Sequence, residues 1–246
     1  MTAITKINQP KDYNISVWRY MNLKRFEYLL KTESLYFARA DMFEDDFEGS
    51  LTQPAYTGFL INCDVDVQYE DGTVGKMSEW ISNDVKAFRT QTYINCWHMN
   101  ERESDAMWKL YASSKKSIAI KTTYKCLAES LPNDAHLGMV RYIDYNKNHF
   151  PFNSLILQFF HKRKEFEHDK EVRAVITKGP PMTRKIKKPT GNDGLPIKVD
   201  VFKLIKKIVV APKSSDEIYS EIQTLLKNHG FKLRVDRSSL EEKPIF

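Results

Sequence analysis

The stretch TYINCWHMNERESDAMWKLYASSKKSIAIKTT, residues 92–123, decides the fold class. TYINCWHM (92–99) is rich in β-branched and aromatic residues and reads as a strand. A polar turn follows, and Ser104 is placed to cap a helix that carries Met107, Trp108 and Tyr111. SIAIKTT (117–123) is a second strand. Strand, capped helix and strand in quick succession mark a protein that mixes sheet and helix.

The alternation continues on both sides. SVWRYM (16–21) reads as a strand and Asn22 as a helix cap, and Leu23, Phe26, Leu29 and Leu30 then share one helical face. LYFARA (35–40) is another strand, and DMFEDDFEGS (41–50) is an acidic turn. Residues 51–77 read as irregular, with a turn at DGTVG (71–75). Ile81, Val85 and Phe88 mark an amphipathic helix over 78–90. Further strands are expected at MVRYIDY (139–145), EVRAVIT (171–177) and KIVVAP (207–212). A helix is expected over 152–164, with Leu155, Ile156, Phe159 and Phe160 inward and a basic end that complements the helix dipole. Residues 178–195 read as a long basic loop. A last helix runs from Ser215 to Gly230 and leads into FKLRVD. No internal repeat occurs, and strict βαβ periodicity is absent. The expected class is α+β: a single domain over residues 1–246, with a mixed β-sheet core flanked by short helices.

Composition narrows the function classes. Hydrophobic residues make up 41% and charged residues 28%, a globular balance that excludes a disordered chain. The formal net charge is +6 and the pI about 9.0, which suits phosphate-bearing partners and equally an ordinary lysine-rich surface. The three cysteines, Cys63, Cys96 and Cys126, are far apart and odd in number, which points away from a disulfide framework or a zinc site and toward a reducing cytoplasm. The start, MTAITKINQP, has no apolar core of a signal peptide, and no run of about 18 apolar residues exists, so no membrane partner is expected.

Four clusters could carry chemistry. Arg19 and Tyr20 on the first strand, with Tyr36 and Arg39 on the second, pair a donor fork for phosphate with a ring for stacking; a half-buried strand with snorkelling arginines reads the same way. Asp41, Glu44, Asp45, Asp46 and Glu48 could hold a hard cation or could be the solvated acids of a turn pinned by Phe43 and Phe47. His98 ends its strand with a pKa suited to moving protons, while Trp108 and Tyr111 share a helix face as core or as ligand platform. Glu171 opens an apolar strand, and Arg173 lies two residues on, so the two side chains share a face and can pair. A carboxylate braced at a strand mouth can act as a base or stabilise a cation, or it can be a surface ion pair. No G-x-G-x-x-G, Walker A, G-x-S-x-G or H-E-x-x-H occurs, which sets aside Rossmann, P-loop, α/β-hydrolase and zincin chemistry.

WRYMNLKRFEYLLKTESLYFARADMFEDDFEGS (18–50), CWHMNERESDAMWKLYASSKKSIAI (96–120) and HKRKEFEHDKEVRAVI (161–176) together resemble the uncharacterised bacterial family catalogued as domain of unknown function 2971. The chain departs from that pattern at Glu44, where the family has Asn, at Asp46, where it has Pro, and at Ser117, where it has Gly. The block order is also similar, more distantly, to ADP-ribosyltransferases. That resemblance implies NAD as substrate, Arg19 holding it, Tyr20, Tyr36 and Tyr111 as stacking candidates, and Glu171 as the catalytic acid. Arg39, Trp108 and Arg173 join the cofactor-binding candidates, and Tyr20 and His98 join Glu171 as catalytic candidates. The acceptor it suggests is nucleic acid, RNA or DNA, met by Lys178, Arg184, Lys185, Lys187 and Lys188 at phosphates. A toxin or phage-defence effector, with an antitoxin or other protein partner, fits that reading. The alternatives are a metal-dependent nuclease built on Asp41, Asp45, Asp46 and Glu48 with His98, and a non-catalytic module that binds a nucleotide or a phage component.

Overall fold

A computed structural model describes residues 7–63, 65–68, 72–112, 114–149, 154–179 and 193–246. Among these, nine strands join one mixed sheet. In chain order they are β1 (Ser16–Asn22), β2 (Ser34–Arg39), β3 (Thr92–Met99), β4 (Ser117–Thr123), β5 (His136–Met139), β6 (Glu171–Thr177), β7 (Gly194–Lys198), β8 (Lys207–Val210) and β9 (Val235–Arg237). β3 is the branch point. One of its edges is lined by β6 along the whole ladder, from Glu171 opposite His98 to Thr177 opposite Thr92. Its other edge is shared. β1 pairs with its C-terminal end, where Trp18 faces His98, and β2 pairs with its N-terminal end, where Ala38 faces Ile94. From that fork β1 continues through β4 and β8 to β9, and β2 continues to β7. Asn95, Cys96 and Trp97 therefore lie on an edge where neither β1 nor β2 pairs with them.

Alternation along β1 explains how the two faces are covered. Val17 and Met21 point into the larger core, with Phe26, Leu29 and Leu30 of α1 (Leu23–Thr32). Asn22 caps that helix by accepting from the backbone N–H of Arg25 at 2.9 Å. Trp18 and Tyr20 point the other way, onto Met107 and Trp108 of a short helix over Asp105–Tyr111. Ser104 caps this helix at 3.4 Å, and its own N–H donates to the Tyr20 hydroxyl at 2.8 Å. That bond fixes how the helix sits over the sheet.

Several elements differ from the sequence expectations. Residues 51–77 contain a helix, Gln53–Cys63, and a hairpin of Asp66–Gln68 with Val74–Lys76. The helix was hidden because its apolar residues follow no period of 3.6. Instead of one helix over 152–164 there is a 3₁₀ turn at Leu155–Phe160, a short strand at His161–Arg163 and a second 3₁₀ turn at Lys164–Asp169. Lys162 and Arg163 there answer carboxylates, Asp169 and Asp45, rather than a helix dipole. The strand expected over 139–145 divides, with Arg141–Ile143 pairing in parallel with His161–Arg163. β7 occupies the end of the expected basic loop. β8, the helix Asp216–Asn228 and parallel β9 form a βαβ unit. No helix among the described residues is long and apolar enough to cross a membrane.

Candidate functional site

The fork in the sheet leaves backbone groups of β3 to be met by side chains. Arg19, on β1, donates from Nη1 to the Cys96 carbonyl at 2.5 Å. Asn95 Nδ2 donates to the Tyr36 carbonyl on β2 at 2.8 Å, and Trp97 Nε1 donates to Asn95 Oδ1 at 2.7 Å. The Arg19 guanidinium lies 6.0 Å from the centre of the Trp97 ring. Burial lowers the Arg19 pKa to about 10, so it stays cationic at neutral pH. Among the described residues no carboxylate pairs with it. A desolvated guanidinium without a carboxylate is well suited to receive an anion.

Two strands away, across β3, stands a fixed anion, on the sheet face opposite to the one that alternation along β1 gives Arg19. Glu171 opens β6 and is 8% exposed. Its Oε2 accepts from Arg173 Nη2 at 2.9 Å and lies 3.4 Å from Lys162 Nζ. Its backbone N–H donates to the Tyr142 hydroxyl at 2.8 Å, and Cys96, opposite Arg173 in the ladder, lies on the same face. Burial alone would raise the carboxyl pKa, but Arg173 and Lys162 outweigh it and hold Glu171 at about 2. Cys96 thus borders both groups, with its carbonyl on Arg19 and its side chain on the face of Glu171. Tyr111 belongs to the same corner: it is 55% exposed, and burial together with the charges of Asp169 and Glu171 pushes its hydroxyl up to about 12. A carboxylate this acidic stays ionised at working pH. It can stabilise positive charge, but it is a poor general base.

The other expected residues divide. Tyr20 and Trp108 are buried together against the sheet. The Tyr20 hydroxyl is taken by Ser104, its ring meets Trp108 edge-on at 4.9 Å, and Trp108 Nε1 donates to Glu103 at 2.8 Å. Arg39 pairs with Asp41 at 2.5 Å. Arg173 is fully buried: it donates to both oxygens of Glu48 at 2.6 and 2.7 Å, to the Phe159 carbonyl at 2.8 Å and to Glu171. His98 lies opposite Glu171 in the ladder. Its Nδ1 must donate to the Asp169 carbonyl, 2.6 Å away, because a carbonyl only accepts. Burial lowers its pKa, leaving a neutral ring whose Nε2 has no partner among the described residues. Tyr36 is half-exposed on β2. Lys178 follows β6 and lies 3.4 Å from Asp134. Arg184, Lys185, Lys187 and Lys188 lie outside the described residues.

Three of the five acids in the acidic turn meet arginines. Asp41 pairs with Arg39, Asp45 with Arg163 and Glu48 with Arg173, so its acids diverge to three separate guanidiniums. Among the described residues no group of three or more His, Cys, Asp or Glu could hold an ion. Sequence reasoning passed over Lys162, Cys96 and Tyr142, all beside Glu171. A shared face of Glu171 and Arg173 was the one local signal.

No family model and no curated protein sequence matches this chain, so the likeness to family 2971 rests on the residues quoted for it. Among solved structures, DarT of Thermus sp. 2.9 in complex with NAD+ is similar at a TM-score of 0.40 and 11% identity, covering 94% of this chain and 97% of that one. The same protein in complex with ADP-ribosylated ssDNA gives 0.39 and 9%, over 95% and 97%. In complex with carba-NAD+ it gives 0.38 and 11%, over 93% and 95%.

Proposed function

We propose that this chain is an NAD-using ADP-ribosyltransferase that modifies a nucleic-acid acceptor. One observation carries the reading: Arg19, a desolvated arginine with no carboxylate partner among the described residues, donates to the Cys96 carbonyl, and Glu171, a carboxylate held well below the usual range by Arg173 and Lys162, lies beside Cys96 across the ladder. Such a pair suits a substrate that has a diphosphate at one end and a ribose that becomes cationic at the other. The likeness of the sequence blocks to ADP-ribosyltransferases agrees with these positions.

NAD supplies the glycosidic bond that is broken, between ribose C1′ and the nicotinamide nitrogen. In this reading Arg19 holds the diphosphate and Tyr111, on the rim, offers a ring for stacking. Glu171 faces the ribose and stabilises the positive charge that develops there as the bond lengthens. The acceptor atom bonds to C1′, nicotinamide departs with the bonding electrons, and the acceptor loses a proton. Glu171 is too acidic to take that proton. The neutral His98, opposite Glu171 in the ladder and with a buried Nε2 that has no partner among the described residues, is the better candidate. The net charge of +6 supports a polyanionic acceptor. A toxin or phage-defence setting, with a protein partner that restrains the enzyme, belongs to the same proposal.

The test is incubation with adenylate-labelled NAD and, separately, single-stranded DNA, RNA and total protein, reading nicotinamide release and label transfer. Wild type should transfer label to nucleic acid, and Glu171→Gln should not. A wild-type chain that neither releases nicotinamide nor transfers label overturns the proposal.

A further inference from the structure

The acidic turn after β2 read as a cation site or a solvated loop, and the structure uses it otherwise. Phe47 from the turn lies 4.9 Å from the Arg163 guanidinium, which also lies over Phe166 at 5.2 Å and pairs with Asp45 at 3.1 Å. This contact docks the turn against the segment that carries Lys162. Docking sends Glu48, 1% exposed, inward to both nitrogens of Arg173. Glu171 then receives its own bond from one of those nitrogens.

We propose that Glu48 is a positioning residue of the site: it fixes the guanidinium that holds Glu171 and keeps the buried cluster one charge negative. The inference rests on the proposed transferase reading and adds a residue to it. The charge count makes the point. Glu48, Glu171 and Asp169 supply three negative charges against two positive charges on Arg173 and Lys162. Without Glu48 the remaining charges cancel, and the cations that hold Glu171 in place also quench its field. With Glu48, Arg173 is shared between two carboxylates, and the cluster retains a surplus that a developing cation can feel. Glu48 touches no reacting atom and acts through Arg173.

The experiment compares Glu48→Gln, which keeps shape and loses charge, with Glu48→Asp, which keeps charge and loses reach. Both are first checked for a cooperative thermal transition. For nicotinamide release from NAD, Glu48→Gln should lower kcat on the order of 10- to 100-fold, the range for removing an outer partner of a reactive group. KM should move by less than about twofold, because the lost interaction acts on the transition state. Glu48→Asp should retain more activity than Glu48→Gln. The reverse order, or a Glu48→Gln enzyme with wild-type kcat, assigns Glu48 to packing and overturns the inference.

A second readout needs no NAD. Cys96 lies opposite Arg173 on the face of Glu171; burial chiefly, with the charges of Glu171 and Glu48, holds its thiol protonated. Alkylation of Cys96, followed by mass spectrometry at fixed pH, should therefore be faster in Glu48→Gln than in Glu48→Asp. Equal rates in the two variants mean loosening rather than charge, and they also overturn the inference. If wild type is inert toward NAD, the transferase reading fails by itself, and the Cys96 comparison still decides the role of Glu48.

Discussion

Replacing Arg173 by Met should turn the site's most buried brace into its largest fault. Arg173 is 0% exposed and donates four hydrogen bonds, two to Glu48, one to Phe159 and one to Glu171. Met nearly fills the space and supplies no donor. Removing one partner of a buried ion pair typically costs about 3–5 kcal/mol. The sign with pH follows. In wild type the Glu171 carboxyl is depressed, so its contribution is full above the unfolded value and is lost as pH falls from 4.5 toward 2. In Arg173→Met the carboxyl titrates higher, because burial now meets only Lys162. The gap between variant and wild type should be widest at neutral pH and should narrow as the solution is acidified. Urea unfolding from about pH 4.5 to 8 measures it, within the range where two-state analysis holds. Pairing the change with Glu48→Leu should recover part of the loss, because one orphaned carboxylate is then gone. A loss below about 1 kcal/mol, or one independent of pH, would refute the claim that Arg173 works as a charge brace.

Three further outcomes are expected. Glu171→Gln should lower kcat for nicotinamide release by about 100- to 1,000-fold with little change in KM; wild-type kcat should show no acid limb assignable to Glu171 down to about pH 4, because that group is held at about 2. Arg19→Ala should raise KM for NAD more than it lowers kcat, measured in the same assay, since a diphosphate clamp is felt in ground and transition states alike. Tyr20→Phe should cost about 1 kcal/mol in urea unfolding by orphaning the Ser104 N–H and should leave turnover near wild type; a lost turnover would return Tyr20 to the catalytic group.

The parts of the fold legible in the sequence are those set by local rules. Asn22 and Ser104 cap the helices assigned to them because a short polar side chain beside an apolar stripe has few other uses. Strands 16–21, 92–99, 117–123 and 171–177 stand out because their composition and alternation agree. The 53–63 helix and the broken 154–169 segment were hidden for the opposite reason. One has no apolar period. The other puts Phe159 and Phe160 together at a 3₁₀ turn, a spacing that serves a helix equally well. The fork at β3 had no local signal at all. It depends on β1 and β2 stopping short on the same edge, and pairing extent is a property of three strands at once.

The site shows the same division more sharply. Glu171 and Arg173 are two apart, and alternation alone puts them on one face. Glu48 is 125 residues from Arg173, and nothing near it in the chain distinguishes it from Asp41 or Asp45. Counting acids over 41–50 treats them as one charge cloud that a cation must answer. The fold answers each with a different arginine, and only Glu48 is taken fully inside. Desolvation decides which of these pairs matters for chemistry. An exposed pair is screened and contributes little, whereas Glu48, Arg173 and Glu171 interact where solvent does not weaken them. A carboxylate at a strand mouth is common in proteins. What distinguishes this one is that two cations, Arg173 and Lys162, hold it ionised; in the role proposed for Glu48, that residue, on a distant turn, keeps the two from cancelling it.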